Sequence, residues 1–224
     1  MSSPEADLPL DHVHVAPETE SEGPAPAVVL AHGRGADEND LLPVARELPE
    51  ELHVVSLRAP EQLGPGYTWY DLDVPDGDLH RSQPEATDFR RSLDAVAASV
   101  EGAVDAYGLD PDRVGLLGFS QGAIVAVSLL LEAPERYAWV AALHGYLPAS
   151  HADRSPDCVR GKPVFVGAGR ADEIIPDRRS EAAADRLREV GAAVTFRRYD
   201  AGHGVGRAEL ADVVSFVGDR VDGS

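Results

Sequence analysis

Short apolar runs alternate with longer amphipathic stretches along most of this chain. Several of the short runs are continuously apolar, which is typical of strands that are covered on both faces. The first run is more polar than the others, so we expect it at an edge of the sheet. The predicted strands are residues 12–16, 27–32, 53–57, 113–119, 138–145, 163–168 and 194–199.

Helical periodicity fills several of the gaps between these runs. Residues 86–107 carry apolar side chains at steps of three and four, and residues 210–221 repeat that spacing. Residues 121–133 are apolar on all sides until Pro134, which predicts a buried central helix. The alternation predicts an α/β protein with a mostly parallel central sheet of about seven strands and helices on both faces.

The length of the chain suits a single domain. We expect residues 1–224 to form one α/β domain, with residues 1–10 as a flexible N-terminal segment. The connection over residues 58–85 is long, and such loops are usually functional or mobile. Only residues 148–162 separate the fifth and sixth predicted strands, which is too few for a cap domain.

The charge of the chain limits its partners. There are 39 acidic and 20 basic residues, a net charge of −19, and Lys162 is the one lysine. Such a surface repels nucleic acid and anionic membranes, so we expect neither nucleic-acid binding nor stable membrane binding. A GC-rich genome explains arginine in place of lysine but not the acidic excess. We therefore expect adaptation to a cytoplasm of molar salt.

The remaining composition favours a cytoplasmic protein without a metal or cofactor. The N-terminus lacks the basic and apolar regions of a signal peptide, and no apolar stretch reaches about 18 residues. A lone Cys158 cannot form an intrachain disulfide, and no cysteine–histidine spacing resembles a zinc site. The role of Cys158 and the oligomeric state stay open, a homodimer being one option.

A serine with a glycine two residues away on either side lies between a predicted strand and a predicted helix. Residues 118–122 read Gly-Phe-Ser-Gln-Gly, the G-x-S-x-G pattern of a nucleophile elbow, with Ser120 at its centre. Such a turn strains the serine backbone and crowds the flanking positions, which explains the two glycines. The alternative is a structural serine at a tight turn.

A serine hydroxyl needs a base and a group that orients the base. Among eight histidines, His203 is the best base, because it follows the last strand between glycines, where the carboxyl ends of parallel strands meet. His32 and His144 also follow strands. His144 is the main rival, although a buried core histidine is the simpler explanation of it.

The orienting acid should follow another strand and lie between serine and histidine in the chain. Asp172 meets both conditions, with Glu173 as its neighbour, whereas Asp177 has the position of a helix cap. The oxyanion needs two backbone donors. One is the N–H of Gln121, after the nucleophile, and the other is the N–H of Arg34, in the glycine-containing loop after an early strand.

Four segments together resemble the phospholipase/carboxylesterase family of α/β-hydrolases, which includes carboxylesterases and acyl-protein thioesterases. They are AHGRGADENDL (31–41), GFSQGA (118–123), GAGRADEIIP (167–176) and GHGV (202–205). The resemblance implies an α/β-hydrolase fold without a cap domain and a triad of Ser120, Asp172 and His203. It places the oxyanion donors at Arg34 and Gln121.

The resemblance also implies that Tyr67, Trp69 and Tyr70 line the acyl pocket, although aromatic residues in a loop could equally anchor it to the core. His144 stands where the family commonly has a serine, and Ala168 where it commonly has a histidine. A further difference, Ala123 in place of a third glycine, is small. These differences prevent a direct transfer of substrate preference.

The expected activity is that of a carboxylesterase-type serine hydrolase. It would cleave esters with short to medium acyl groups through an acyl-enzyme intermediate. One alternative is an acyl-protein thioesterase or lysophospholipase, and another is a non-catalytic ligand-binding module on the same fold. The expected partner is a small-molecule ester or thioester.

Overall fold

A seven-stranded sheet forms the centre of the molecule, for which a computed structural model describes residues 6–17 and 23–221. Its strands are β1 His12–Val15, β2 Ala25–Ala31, β3 His53–Leu57, β4 Leu109–Phe119, β5 Trp139–Leu143, β6 Pro163–Gly169 and β7 Ala193–Tyr199. Their order across the sheet is β1-β3-β2-β4-β5-β6-β7. β1 is antiparallel to β3 at one edge, and the other neighbouring pairs are parallel. The predicted strands and the edge position of the first are confirmed.

The largest difference from the predicted strand boundaries is at the start of β4. Leu109 pairs with Ala25 of β2, and the pairing then shifts so that Val114 lies opposite Ala27. Residues 110–113 therefore bulge from the ladder and carry polar side chains that hide the strand pattern in the sequence.

In these described ranges, five α-helices cover both faces of the sheet, as predicted. They are α1 Leu42–Ala45, α2 Ala86–Tyr107, α3 Gln121–Glu132, α4 Asp177–Glu189 and α5 Arg207–Val221. Side chains of α2, α3 and α4 share one apolar core with the sheet, whereas α5 and the residues around α1 share the other. Helix α3 is buried from Gln121 to Leu131, which confirms the prediction of a central helix.

The long connection over residues 58–85 is ordered by short strands and turns. Glu61–Leu63 pairs with Gly66–Thr68, and Leu72–Asp73 pairs with Gln83–Pro84, both antiparallel. Between β5 and β6 there are only two single-turn 3₁₀ helices, Ala149–His151 and Asp157–Val159. No cap domain covers the sheet in the described part of the chain.

Part of the segment that we expected to be flexible lies against the core. Of residues 1–10, the first five are outside the described residues. Leu10 is buried in the core that contains α2, and Leu8 packs against the same core beside Gly102. None of the helices in the described ranges is long and apolar enough to cross a membrane.

A histidine pair joins the edge strand to its neighbour. His14 Nε2 and His53 Nδ1 lie 2.9 Å apart, and the His14 ring stacks on Tyr107 of α2. A bond between two imidazoles needs a neutral acceptor, because two imidazolium rings would each present only N–H groups. Burial, followed by the charges of His53 and His12, lowers the pKa of His14 to about 4. Burial also lowers the pKa of His53.

We predict that this pair makes stability depend on pH in the weakly acidic range. Because folding lowers the pKa of His14, its contribution is complete above about pH 6.5 and is lost as pH falls from 6.5 toward 4. His14→Gln, which keeps a donor toward His53, should show a smaller fall of the urea midpoint over this range. His80→Gln, on an exposed loop, is the control. Parallel curves for His14→Gln and the wild type would contradict the prediction.

Candidate active site

Ser120 lies between β4, which ends at Phe119, and α3, which begins at Gln121. Its backbone has φ 54° and ψ −115°, a conformation that L-residues rarely adopt. The Ser120 N–H donates to Leu143 O of β5 at 2.9 Å, which fixes the turn to the sheet. The turn therefore holds the hydroxyl at the carboxyl end of the sheet, where the predicted nucleophile elbow should lie.

The two glycines around Ser120 allow backbone segments to approach closely. A Cβ atom on Gly118 would lie 2.2 Å from Gly122 O, and one on Gly122 would lie 1.9 Å from Ala31 O of β2. Since both obstacles are backbone atoms, no side chain can move to make room. The predicted reason for glycine at these positions is confirmed.

The three residues expected to form the triad meet at this end of the sheet. His203 Nε2 lies 2.9 Å from Ser120 Oγ, and His203 Nδ1 lies 2.7 Å from Asp172 Oδ2. Asp172 follows β6 and His203 follows β7, so parallel strands bring both to the serine. A neutral His203 with its proton on Nδ1 donates to the carboxylate and offers Nε2 as acceptor to the hydroxyl.

The Asp172 carboxylate is held by several donors. Its Oδ1 accepts the backbone N–H groups of Ile174 and Ile175, both at 2.9 Å. Its Oδ2 accepts from His203 and also from His144 Nδ1, which is 2.9 Å away. Burial alone would raise the pKa of Asp172, but these hydrogen bonds outweigh burial and lower it. The group therefore stays ionised at neutral pH.

His144 is a buried histidine that contacts the triad. Besides its bond to Asp172, its Nε2 lies 3.0 Å from Glu209 Oε2 of α5. Burial opposes a charge on this ring, yet the bonds and charges of Glu209 and Asp172 outweigh burial and raise the pKa of His144. His144 is thus a core residue, as the simpler explanation had it, and its ring nitrogens face two carboxylates rather than Ser120.

The candidate oxyanion donors flank the serine. Gln121 is the next residue, and a Cβ atom on Gly33 would lie 3.5 Å from Ser120 Cβ, so the loop carrying Arg34 passes beside the nucleophile. Within the described ranges, no acceptor takes the backbone N–H of Gln121 or of Arg34. The Arg34 side chain is exposed. Both N–H groups are therefore free to bind an oxyanion.

Two polar contacts fix the loop after β2. His32 Nδ1 donates to Gly33 O at 2.7 Å, while its Nε2 accepts the Ala59 N–H at 3.0 Å. The C=O and N–H of a trans peptide point in opposite directions. The bond from His32 to Gly33 O therefore turns the Arg34 N–H away from His32. Burial lowers the pKa of His32, which keeps the ring neutral and able to accept. Farther along the loop, Glu38 accepts two 2.6 Å bonds from Arg58.

The Gln121 side chain ties the aromatic loop to the elbow. Its Oε1 accepts the Trp69 N–H at 3.1 Å, and its Nε2 donates to Tyr70 O at 2.9 Å. The Trp69 indole donates to His32 O at 2.8 Å. Both Trp69 and Tyr70 have 0% of their surface exposed.

This burial corrects the expected substrate role of Trp69 and Tyr70. Fully buried rings cannot touch a substrate, so they anchor their loop to the core, which was the alternative explanation. Tyr67 is half-buried beneath the Arg58 guanidinium, which lies 4.9 Å from the ring centroid. Its backbone pairs with Gly35 and Ala36 beside the oxyanion loop, so Tyr67 remains a candidate for substrate contact.

The other acids considered from the sequence have different partners. Asp177 begins α4 and lies 3.0 Å from the Arg198 guanidinium, while the Glu173 backbone carbonyl contacts His80. Among the described residues, one cluster could supply three metal ligands within 4.8 Å of one another, formed by His144, Asp172 and His203. The hydrogen bonds above already use these atoms.

Three features of the site were missed from the sequence. The Gln121 side chain, the contact of His144 with Asp172 and the burial of Glu209 all depend on distant segments. One signal was present: Gly167 interrupts the apolar strand β6, and a Cβ atom there would lie 2.0 Å from Glu209 Oε1. A glycine in a buried strand often marks such a close approach.

The chain is similar in sequence to known hydrolases. A sequence model described as Phospholipase/Carboxylesterase matches residues 12–219. Carboxylesterase SOBER1 of Arabidopsis thaliana is 28% identical over 163 residues, 70% of this chain and 69% of the relative. Acyl-protein thioesterase 1 of Cryptococcus neoformans is 26% identical over 189 residues, 80% of this chain and 78% of the relative.

The fold has solved counterparts as well. The crystal structure of a carboxylesterase from Mesorhizobium loti superimposes with a TM-score of 0.83 at 27% sequence identity. The superposition covers 95% of this chain and 96% of that chain. The α/β-hydrolase fold expected from the sequence motifs is therefore confirmed.

Proposed function

The chain belongs to the phospholipase/carboxylesterase family and is an ester hydrolase, and we propose that it works through an acyl-enzyme on Ser120. The observation that carries this proposal is the continuous set of bonds from Asp172 through His203 to the Ser120 hydroxyl. The hydroxyl has an acceptor for its proton, and the acceptor is oriented by a carboxylate that stays ionised.

The reaction proceeds in two proton-coupled steps. Ser120 Oγ attacks the acyl carbonyl as its proton passes to His203 Nε2, and the backbone N–H groups of Gln121 and Arg34 bind the oxyanion. His203 then donates that proton to the departing alkoxide, which leaves as the alcohol. Water attacks the acyl-enzyme with His203 again as base, and Ser120 regains its proton as the carboxylic acid is released.

We predict that Ser120→Ala abolishes hydrolysis of p-nitrophenyl butyrate. Loss of the nucleophile should lower kcat by at least about 10⁴-fold, because only oxyanion and binding contributions would remain. A fluorophosphonate probe should label the wild type at Ser120 and leave the variant unlabelled. Ser128→Ala, at a buried serine of α3, is the matched control and should keep both activities.

This experiment also separates the enzyme from the non-catalytic alternative. A binding module on the same fold would leave the probe unreacted and the ester intact in the wild type. Equal hydrolysis by the wild type and Ser120→Ala would reject the proposed nucleophile.

The proposed preference for short to medium acyl groups rests on two exposed apolar side chains. Ile174, whose N–H is bonded to Asp172, is 51% exposed. Leu79 is also 51% exposed, and its neighbour His80 contacts Glu173 O at 2.9 Å, which holds the two segments together. Exposed apolar side chains near a nucleophile can cover a few methylene groups of an acyl chain. With Trp69 and Tyr70 buried, they replace these rings as candidates for that contact.

We predict that p-nitrophenyl butyrate is hydrolysed faster than the palmitate, because no cap encloses a long chain. Ile174→Thr should lower kcat/KM for the octanoate by about fourfold, the equivalent of about one lost methylene contact. Hydrolysis of the acetate, whose acyl chain is a single methyl group, should change little. Faster turnover of the palmitate under matched conditions would refute this preference.

A thioester is the second candidate substrate, and the name of the Cryptococcus neoformans relative favours it. The same triad can expel a thiolate, which needs less help from a proton donor than an alkoxide. The net charge of −19 opposes binding to anionic membranes, so a small thioester suits the chain better than a lipid-bound one. Matched oxygen and sulfur esters with one acyl group would rank the two substrate classes.

We also propose that the surface is adapted to molar salt in a cytoplasmic setting. Carboxylates greatly outnumber the arginines, and some arginines contact two carboxylates each. Arg198, for example, pairs with both Asp177 and Glu181. The unpaired carboxylates repel one another, and the Debye length that governs this repulsion falls from about 10 Å in 0.1 M salt to about 3 Å in 1 M.

We predict that KCl raises the melting temperature steeply between dilute buffer and the molar range. Each 1 kcal/mol of relieved repulsion corresponds to a rise of about 2–4 °C for a chain of this size. Sucrose at matched osmolality is the control, because it leaves charge interactions unscreened. Full stability in dilute buffer would count against salt adaptation.

A further inference from the structure

The carboxylate that orients His203 accepts a second imidazole. Asp172 Oδ2 is 2.7 Å from His203 Nδ1 and 2.9 Å from His144 Nδ1, and the two rings meet edge to face with centroids 5.6 Å apart. An ionised carboxylate only accepts hydrogen bonds, so His144 must carry a proton on Nδ1. Its other nitrogen faces Glu209, which completes a continuous path from Ser120 to α5.

The fold maintains this arrangement at a cost. His144 has φ 54°, a left-handed conformation that is unfavourable for a residue with a side chain. Both His144 and Glu209 have 0% of their surface exposed. Glu209 Oε1 has no hydrogen-bond partner among the described residues, and only the absence of a side chain on Gly167 makes room for it. Buried polar groups that are incompletely paired destabilise a fold, so a functional reason for retaining them is expected.

We propose that His144 and Glu209 are positioning residues, a buried charged pair that holds Asp172 in register with His203. This inference rests on the hydrolytic function proposed above. His144 donates to Asp172 Oδ2 from a fully buried position, and Glu209 keeps His144 protonated and oriented. With Ile174 and Ile175 donating to Oδ1, four donors fix the plane of the carboxylate.

The pair also sets the charge seen by the base. The groups that face His144 are Asp172 after β6, His203 after β7 and Glu209 on α5, with the Phe119 ring beside it. In this chain of bonds, the positively charged His144 ring is closer to His203 than the negatively charged Glu209 carboxylate is. Neutralising the pair removes this nearby positive charge and should therefore shift the acidic limb of the kcat/KM profile to higher pH.

Glu209→Gln removes the charge of the Glu209 side chain and changes the shape of that side chain very little. The amide can still donate to His144 Nε2, and a neutral His144 can still donate from Nδ1 to Asp172, so only the charged pair is lost. We expect kcat for p-nitrophenyl butyrate to fall about tenfold, a modest loss of alignment, with KM close to the wild-type value. The midpoint of the acidic limb should rise.

Two substitutions of His144 separate its two bonds. The side-chain nitrogen of His144→Asn can replace Nδ1 and donate to Asp172, and asparagine tolerates a positive φ. His144→Gln places its amide nearer to the Nε2 position and loses the bond to Asp172. We expect His144→Asn to retain more of kcat than His144→Gln. Asp212→Asn is the control on α5, because Asp212 accepts from Tyr199 at 2.7 Å and contacts no triad member.

An NMR measurement gives a readout that does not need turnover. In ¹⁵N-histidine-labelled Ser120→Ala protein at neutral pH, both ring nitrogens of His144 should carry protons, and Glu209→Gln should remove one. Variants that melt at a lower temperature but keep the wild-type kcat, KM and pH profile would show that the pair is only structural, and the proposal would be wrong. A neutral His144 in Ser120→Ala would overturn it as well. Failure of the wild type to hydrolyse any ester or react with the probe would instead reject the proposed function.

Discussion

The close approach of the first turn of α3 to the end of β2 is the constraint on which the site depends. Gly122 lies so near to Ala31 O that a methyl group would not fit between them. Beside this contact, Ser120 has a positive φ, and the loop after β2 passes next to the nucleophile. In the proposed mechanism, the Ser120 hydroxyl and the backbone N–H groups of Gln121 and Arg34 act together at this turn. Preorganisation of this kind lowers a barrier because no group has to be ordered during the reaction.

Polar side chains with little access to solvent supply the second level of support. His32 holds the carbonyl before Arg34, Gln121 holds the loop of Trp69 and Tyr70, and the donors around Asp172 fix its carboxylate. His32 and Gln121 are bonded mainly to backbone atoms, whereas Asp172 accepts from two backbone N–H groups and two imidazoles. In a buried setting such bonds are strong and their loss is costly, so the positions of the reacting atoms are tightly determined.

Most of the sheet and the elbow could be predicted, because their signals are local. Strand length, helical periodicity and the glycines around Ser120 lie in neighbouring residues, and the order of strand ends then selects Asp172 and His203. The role of Trp69 could not be decided in the same way, since an aromatic ring in a loop packs inward or outward according to distant partners. Glu209 was hidden for a related reason: nothing in the pattern of α5 indicates that β6 leaves space for its carboxylate at Gly167. The start of β4 was obscured by a bulge with polar side chains.

Gln121 has two separate roles, one for its backbone and one for its side chain. Its backbone N–H is the proposed oxyanion donor, while its side-chain amide hydrogen-bonds to the segment that carries Trp69 and Tyr70. If that segment were replaced by the one from a relative, a poor fit would displace Gln121 and with it the backbone N–H. Turnover and substrate selection would then change together. Natural diversification of this loop is therefore expected to require a compensating exchange at position 121. The exposed side chain of Ile174 is less constrained, because only the backbone N–H of this residue contacts Asp172. Redesign of acyl selectivity should begin there.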